Sequence, residues 1–307
     1  MVERPKDPDH GDYATPVALG LARYARMAPV QIADRIVKRL PQADFIGEAT
    51  VAHPGFLNIR LSESWLARQV ETVLAEATNF GSVELGNGKT VQVEFISANP
   101  TGPLTVGSGR NAVLGDTLAA VLDAAGYEVQ REYYVNDVGT QVDNLGEAMY
   151  VRYLQALGRD EPDPAEYQGE YLVEMGRKAA AELGEKYASV ERSDALAFMR
   201  QYALDGIIAG LKEDTALIGV HFDRWFFEQS LYDDGTYGLV FNKLSQRNMI
   251  AEREGAIWLT SEDESDKENV LVRSDGRPTY FASDIAYIWD KLEKRGFDWA
   301  IYVWGAD

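Results

Sequence analysis

Between residues 90 and 135 the hydrophobic pattern changes from a period of two to a helical period and back. Nothing else in the chain restricts the fold as much. Val91, Val93 and Phe95 alternate along TVQVEFI, as in a strand. The Pro- and Gly-bearing loop SANPTGPLTVGSGR follows, and then Leu114, Leu118, Val121, Leu122 and Ala125 recur at helical spacing until Gly126 stops the helix as a C-cap. YEVQREYYVND returns to strand character. Strand, glycine-containing loop, helix, strand is the opening of a doubly wound parallel sheet. Ligands in such sheets sit at the carboxyl ends of the strands, beside a helix N-terminus.

Around this unit the chain reads as α/β throughout. Residues 16–40 predict two short helices separated at Pro29. DFIGEATVAH and GFLNIRLS read as strands, and residues 63–79 as a third helix. Together they predict a small domain over 1–82, with the Gly-rich GSVELGNGKT as linker. A second domain is expected over 88–307, carrying a mostly helical, acidic insertion over about 140–230. Strand character returns in GAIWLTS and ENVLVRSDGRPTY, with EDESDKE as a charged turn between them. DIAYIWDKLEKRG predicts a helix closed by Gly296, and DWAIYVWGAD a buried strand.

Composition removes several function classes. There is no cysteine, so disulfides, thiolate metal sites and cysteine nucleophiles are excluded. His10, His53 and His221 are scattered without metal-ligand spacing, and no metal site is expected. The opening residues lack the apolar stretch of a secretion signal, and no run approaches the length of a membrane span, so a cytoplasmic protein with no membrane partner is expected. A net charge of −19 argues against a chain coated in phosphate contacts. Residues 1–60 depart from this, with eight basic against seven acidic side chains. That near-neutral stretch reads as a solvated helix face or as a local nucleic-acid patch. Trp225, Trp258, Trp289, Trp299 and Trp304 are expected in the core.

The loop from Ser97 to Arg110 is where chemistry is expected. Gly107 and Gly109 allow close backbone approach, the following helix offers free N–H groups and the positive end of its dipole, and Arg110 adds a cation. Ser108 can cap the helix. On pattern alone this is equally a phosphate cradle or an ordinary turn.

The segment EFISANPTGPLTVGSGRNAVLGD resembles the signature of arginyl-tRNA synthetases, class I enzymes with a Rossmann-type core. Further blocks follow in that family's order. HGDYAT and HPGFLNIRLS resemble its N-terminal additional domain, and YYVNDVGTQ, SDGRPTYFASDIAY and RGFDWAIYVWGAD its later segments. The resemblance implies ATP and its phosphates at Pro103, Thr105, Gly107, Ser108 and Arg110, with magnesium arriving on the nucleotide. It implies L-arginine at Glu94, Ser97, Asn99, Tyr280 and Asp284, and contact with tRNA(Arg) at Asp12, Tyr13 and Asn58. Taken singly, Glu94 is also consistent with an exposed strand position, Asp284 with a helix N-terminal carboxylate, and Gly11 to Tyr13 with a turn holding a packed aromatic.

The resembling family usually carries His-x-Gly-His in its phosphate signature; here the stretch is Thr105-Val106-Gly107-Ser108. Hydroxyls can donate to phosphate but carry no positive charge, and neutral hydrogen bonds are weaker than charge-assisted ones. The implied chemistry is attack of the arginine carboxylate on the α-phosphate of ATP, then transfer of the arginyl group to tRNA. Positioning and charge stabilisation dominate such a step. No KMSKS-like lysine loop and no helical anticodon domain occur in these residues, so the expected picture is a truncated, monomeric piece with little activity alone. A non-catalytic tRNA- or arginine-binding paralogue, or another class I synthetase or nucleotidyltransferase, are the alternatives.

Overall fold

The computed structural model describes residues 1–260 and 269–305. EDESDKE lies outside the described residues. The chain divides into two compact units, Met1–Ser82 and Val83–Asp307.

In the first unit an antiparallel sheet of order β1-β3-β2 is built from β1 (Tyr13–Thr15), β2 (Ile46–Ala52) and β3 (Phe56–Leu61). Helices α1 (Val17–Ala25) and α2 (Pro29–Val37) bury Ala18, Ile32 and Ala33 with Leu57. Pro29 starts α2, where its missing N–H costs nothing. Helix α3 (Glu63–Glu76) is N-capped by Ser62, which accepts from the Trp65 N–H at 3.3 Å. Strand β1 escapes the sequence pattern because three residues carry too little periodicity.

The second unit holds a four-stranded parallel sheet of order β10-β4-β5-β6, from β4 (Thr90–Phe95), β5 (Glu128–Val135), β6 (Arg224–Phe227) and β10 (Trp299–Val303). Helix α4 (Val106–Ala124) crosses from β4 to β5 and packs Ala112 and Ala119 on Val91, Val93 and Phe95. A Cβ on Gly115 would lie 2.2 Å from Phe95 Cγ, so only glycine lets this helix reach the sheet. Gly126 ends the crossover at φ +82°, the left-handed conformation expected of a C-cap glycine.

Between β5 and β6 lie α5 (Thr140–Ala156), α6 (Glu170–Leu183) and α7 (Arg192–Leu217), whose buried faces form the largest apolar core. The helical stretch is therefore shorter than the 140–230 expected, because Arg224–Phe227 forms β6 and pairs in parallel with β5. After β6 come α8 (Gln229–Asp233) and α9 (Thr236–Gln246). An antiparallel sheet follows, of β7 (Ile250–Arg253), β8 (Ala256–Leu259) and β9 (Asn269–Val272). Helix α10 (Tyr280–Trp289) then runs into a π-helical turn over Asp290–Lys294. Among the described residues none of these helices is long and apolar enough to cross a membrane.

Strand β10 departs from the buried strand expected. Among the described residues it pairs only with β4, so its side chains lack one flanking neighbour. Trp299 and Trp304 are accordingly 41% and 68% exposed rather than in the core.

Candidate active site

The two faces of β4 differ in chemistry although both are buried. Val91, Val93 and Phe95 face α4, whereas Gln92 and Glu94 bury on the opposite face at 0% and 3% exposure. Glu94 is thus no exposed strand position. A doubly wound sheet is covered on both sides, and a buried carboxylate needs a partner. Strand register places Tyr302, Glu94, Glu132 and Arg224 side by side across the sheet.

Beyond Phe95 the backbone turns sharply. Ile96 and Ser97 take φ of 65° and 40°, a costly conformation for a β-branched residue and its neighbour. Asn111 of α4 holds the turn: its Oδ1 accepts from Ile96 N–H at 2.6 Å and its Nδ2 donates to the Val303 carbonyl at 2.8 Å. One side chain thereby ties the carboxyl ends of β4 and β10 to the start of α4. Tyrosines hold the loop from its other side. Tyr133 donates to the Ala98 carbonyl at 3.0 Å and Tyr171 of α6 to the Thr101 carbonyl at 2.6 Å. Tyr167 lies close to both Thr101 and Tyr280, so the loop and the start of α10 are neighbours.

The phosphate-binding candidates cluster at the start of α4. Thr105 is the N-cap and forms a reciprocal capping box with Ser108, the two hydroxyls lying 3.1 Å apart. The hydroxyls standing at the usual histidine positions therefore hold the helix start in shape. The N–H groups of Val106 and Gly107 have no hydrogen-bond partner among the described residues and point out of the first turn. Pro103, Thr105, Gly107 and Arg110 are exposed and Ser108 is half-buried, so a ligand can reach them. Thr105→Ala should cost about 1 kcal/mol of stability through loss of this cap. Urea unfolding of the two proteins measures it, and coincident midpoints would remove the cap from the account.

Three of the arginine-site candidates are already engaged. Glu94 Oε2 lies 2.5 Å from Nζ of the fully buried Lys291. Glu94 is thus paired with a lysine in this structure. Ser97 Oγ accepts from the Tyr134 N–H at 3.1 Å, and Asn99 Nδ2 donates to Gln141 Oε1 at 2.9 Å. Tyr280 and Asp284 stand one turn apart on α10. Tyr280 is 52% exposed, and Asp284 keeps solvent contact. Burial around its carboxyl, and then the charge of Glu94, raise the pKa of Asp284, with Lys291 opposing.

A cleft of about 320 Å³ opens beside Tyr280, with Thr140, Glu228, Tyr232, Arg277 and Ser283 among its lining residues. Glu228, directly after β6, is 2% exposed and belongs to none of the sequence motifs. Burial pushes its pKa up against hydrogen bonds from Ser283 and Tyr134, while Asp137 and Asp284 push it further up. With its amide turned so that both groups are satisfied, Asn136 also donates to Glu228 at 3.1 Å. Tyr232 and Ser283 share a hydrogen bond of 2.9 Å beside it. The carboxyl ends of β4, β5 and β6 thus bring acids to one region in Glu94, Asp137 and Glu228, and α10 adds Asp284. The signal for Glu228 in the sequence is the apolar run WFF preceding it, which marks a strand end.

In the first unit Asp12 Oδ2 accepts from the Leu61 N–H at 2.7 Å, and Gly11 turns at φ +88° with Ile59 against it. Asp12 is thus committed to the turn before β1, which it ties to the end of β3. Tyr13 pairs with Ile59, and Asn58 with Ala14 on one side and Thr50 on the other. The three histidines are exposed.

Residues 1–61 match the family profile described as the arginyl-tRNA synthetase N-terminal domain, and residues 69–307 that of the class I (R) tRNA synthetase catalytic domain. This chain belongs to the arginyl-tRNA synthetase family. Curated arginine–tRNA ligases include that of Desulfitobacterium hafniense, 46% identical over 310 residues, covering 100% of this chain and 55% of the relative. That of Heliobacterium modesticaldum is 45% identical over 308 residues, covering 100% of this chain and 54% of the relative. The chain therefore spans about half the length of these family members. Among solved structures, one from Campylobacter jejuni assigned as an arginyl-tRNA synthetase superposes with a TM-score of 0.71 at 33% identity, over 80% of this chain and 54% of that one. The Thermus thermophilus arginyl-tRNA synthetase gives a TM-score of 0.54 at 27% identity, over 95% of this chain and 50% of its own.

Proposed function

We propose that this chain carries the arginine-activating site of an arginine–tRNA ligase, joining L-arginine to ATP as arginyl-adenylate and passing the arginyl group to tRNA(Arg). One observation supports this above the others. At the carboxyl edge of a parallel sheet stand an open helix start, a cleft lined by Glu228 and Tyr280, and Asp284 one turn along α10 from Tyr280.

Arginine's guanidinium offers five donors in a planar fork and is best met by carboxylates. Glu94, Asp284 and Glu228 would receive it with Tyr280 against its stem. ATP brings its magnesium as a substrate. The N–H groups of Val106 and Gly107, the dipole of α4 and Arg110 suit its phosphates. Thr105 and Ser108 contribute by holding that helix start rather than by carrying charge. Because the arginine carboxylate is already ionised, the first step needs alignment more than a base. The first unit, near neutral in an acidic chain, is proposed to meet tRNA through its basic helices, with Asp12 shaping the turn beside Tyr13 and Asn58. The protein is proposed to act as a monomer in the cytoplasm.

Calorimetric titration tests this reading directly. L-arginine should bind, and L-citrulline, of similar shape but uncharged, should bind about 30-fold more weakly because charge-assisted hydrogen bonds are lost. Equal affinity for the two would sink it. Charging of tRNA by the 307-residue chain alone is expected to be a small fraction of that of a relative of full length, and near-equal turnover would contradict this.

A further inference from the structure

The chain leaves strand β4 through a strained turn. Ser97 N–H donates to the Phe95 carbonyl at 2.9 Å, which closes a three-residue turn centred on Ile96. Ile96 takes φ of 65° there, and Ser97 follows at 40°. A three-residue turn with positive φ at its centre is the rare and strained form. It suits isoleucine badly, because a β-branched side chain crowds the left-handed backbone. Glycine would remove that cost. The chain keeps Ile96 instead, whose side chain packs against both the core under α4 and the core of α5 to α7.

Such a conformation persists only where its surroundings hold it. Asn111 does so. Its carboxamide accepts from the Ile96 N–H and donates to the Val303 carbonyl, at 2.6 and 2.8 Å. Ile96 lies one residue beyond the last paired position of β4, where Phe95 stands opposite Val303. The carboxamide thus offers the donor and acceptor of a peptide group where the ladder between β4 and β10 stops. Aspartate lacks the donor and leucine lacks both groups, so neither could replace it. The remaining restraints act after the centre of the turn. Tyr134 N–H donates to Ser97 Oγ, Tyr133 to the Ala98 carbonyl, and Asn99 itself donates to Gln141. Without Asn111, Ile96 is free to relax to a negative φ, and Ser97 to Asn99 move with it.

Resting on the arginine-site reading, we propose that Asn111 is a positioning residue for arginine. It acts through the strained turn, which it holds so that Ser97 and Asn99 are aligned before arginine arrives. The strain is stored in the folded protein and does not have to be met on binding. Asn111 stands on the second turn of α4. The helix start proposed for the phosphates and the turn proposed for arginine therefore move as one piece.

The test is calorimetric titration of L-arginine into the 307-residue protein, Asn111→Leu and Asn111→Leu/Ile96→Gly. Leucine keeps the size of asparagine and removes both hydrogen bonds. Asn111→Leu should weaken arginine binding about tenfold, since affinity falls with the fraction of chains that keep the held turn. Glycine adopts positive φ freely, so the double variant should recover to within about threefold of the unaltered protein, the remainder being glycine's extra chain entropy. Its Tm should nevertheless lie below that of Asn111→Leu, because the packed isoleucine is gone. Affinity that rises while stability falls is a result a merely structural asparagine cannot give. Asn111→Ala and Ile96→Asn, the latter also tolerant of left-handed backbone, replace the first pair should either variant fail to fold. An arginine affinity unchanged by loss of Asn111, or one that the change at Ile96 does not recover, overturns this inference alone. An unaltered protein that binds no arginine overturns the arginine-site reading, and this inference with it.

Discussion

Asp284→Asn should weaken L-arginine binding about 30-fold or more, since removing one partner of a desolvated charge pair costs about 2–5 kcal/mol. The substitution keeps size and shape and removes only the charge. The Asp284 carboxyl has no ion-pair partner of its own within the described residues, so thermal stability should change little while affinity falls. The pH dependence sharpens the expectation. Burial first, and then Glu94, raise the pKa of Asp284, and burial raises that of Glu228. The ionised forms bind the cation, so arginine affinity should begin to fall, as pH drops, before the ordinary carboxylate range is reached. Binding should also expel protons, since a guanidinium restores a lower pKa to both groups. The free fold responds with the opposite sign. Carboxyls with raised folded pKa values make stability fall as pH rises from the ordinary carboxylate value through the raised one. Calorimetry in buffers of different ionisation enthalpy reads the released protons. An Asp284→Asn protein that matches the parent in affinity and proton release would remove Asp284 from the site.

Glu132→Gln should cause the largest loss of stability of any single change considered. Glu132 is 0% exposed and stands at the middle of the polar row across the sheet. Arg295 grips its carboxylate with two nitrogens, Tyr287 donates at 2.5 Å, Gln92 at 3.0 Å, and Arg224 lies 3.8 Å away. Asp290 is a further partner of Arg295, at 2.8 Å. Removing the central charge leaves Arg295 largely buried beside an amide that cannot answer both nitrogens. Breaking a buried pair in this way costs about 3–5 kcal/mol, a large part of the about 5–15 kcal/mol that holds a domain together. For a unit of this size, a fall in Tm of about 10 °C should follow. Differential scanning calorimetry checks it, and a shift of less than about 2 °C would show that the network is slack. The same variant would loosen the support behind Lys291, because Tyr287 bonds Glu132 and its ring centre also lies 4.0 Å from the Lys291 ammonium.

How far the fold could be read from sequence depended on segment length and periodicity. Strand β4, helix α4 and β5 carry long alternating or helical patterns, and the fold places all three where those patterns lie. Strands β1 and β6, of three and four residues, carry too little pattern to register, and β6 merges with the helical stretch beside it. The π-helical turn after Trp289 is also invisible, since its residues fit a helical period equally well. Within the candidate site, Ser108 could be read as a helix-capping type because a cap is a local contact between neighbours in sequence, but the N-cap itself is Thr105, with Ser108 three residues on as its reciprocal partner. Lys291 and Glu228 could not be read as buried charges.

Sequence by itself determined what neighbours along the chain decide: the strand–loop–helix crossover, its glycine stops and the family to which the chain belongs. Tertiary structure alone decided which charges meet. Glu94 and Lys291 are 197 residues apart and form one buried pair. Glu228 and Tyr280 reach one cleft from a strand end and a helix. The physical reason lies in the parallel sheet, whose crossovers return every strand in the same direction and gather distant carboxyl ends at one edge. Whether a carboxylate there faces substrate or a lysine depends on what covers it, and burial is a property of packing between elements that no local pattern records.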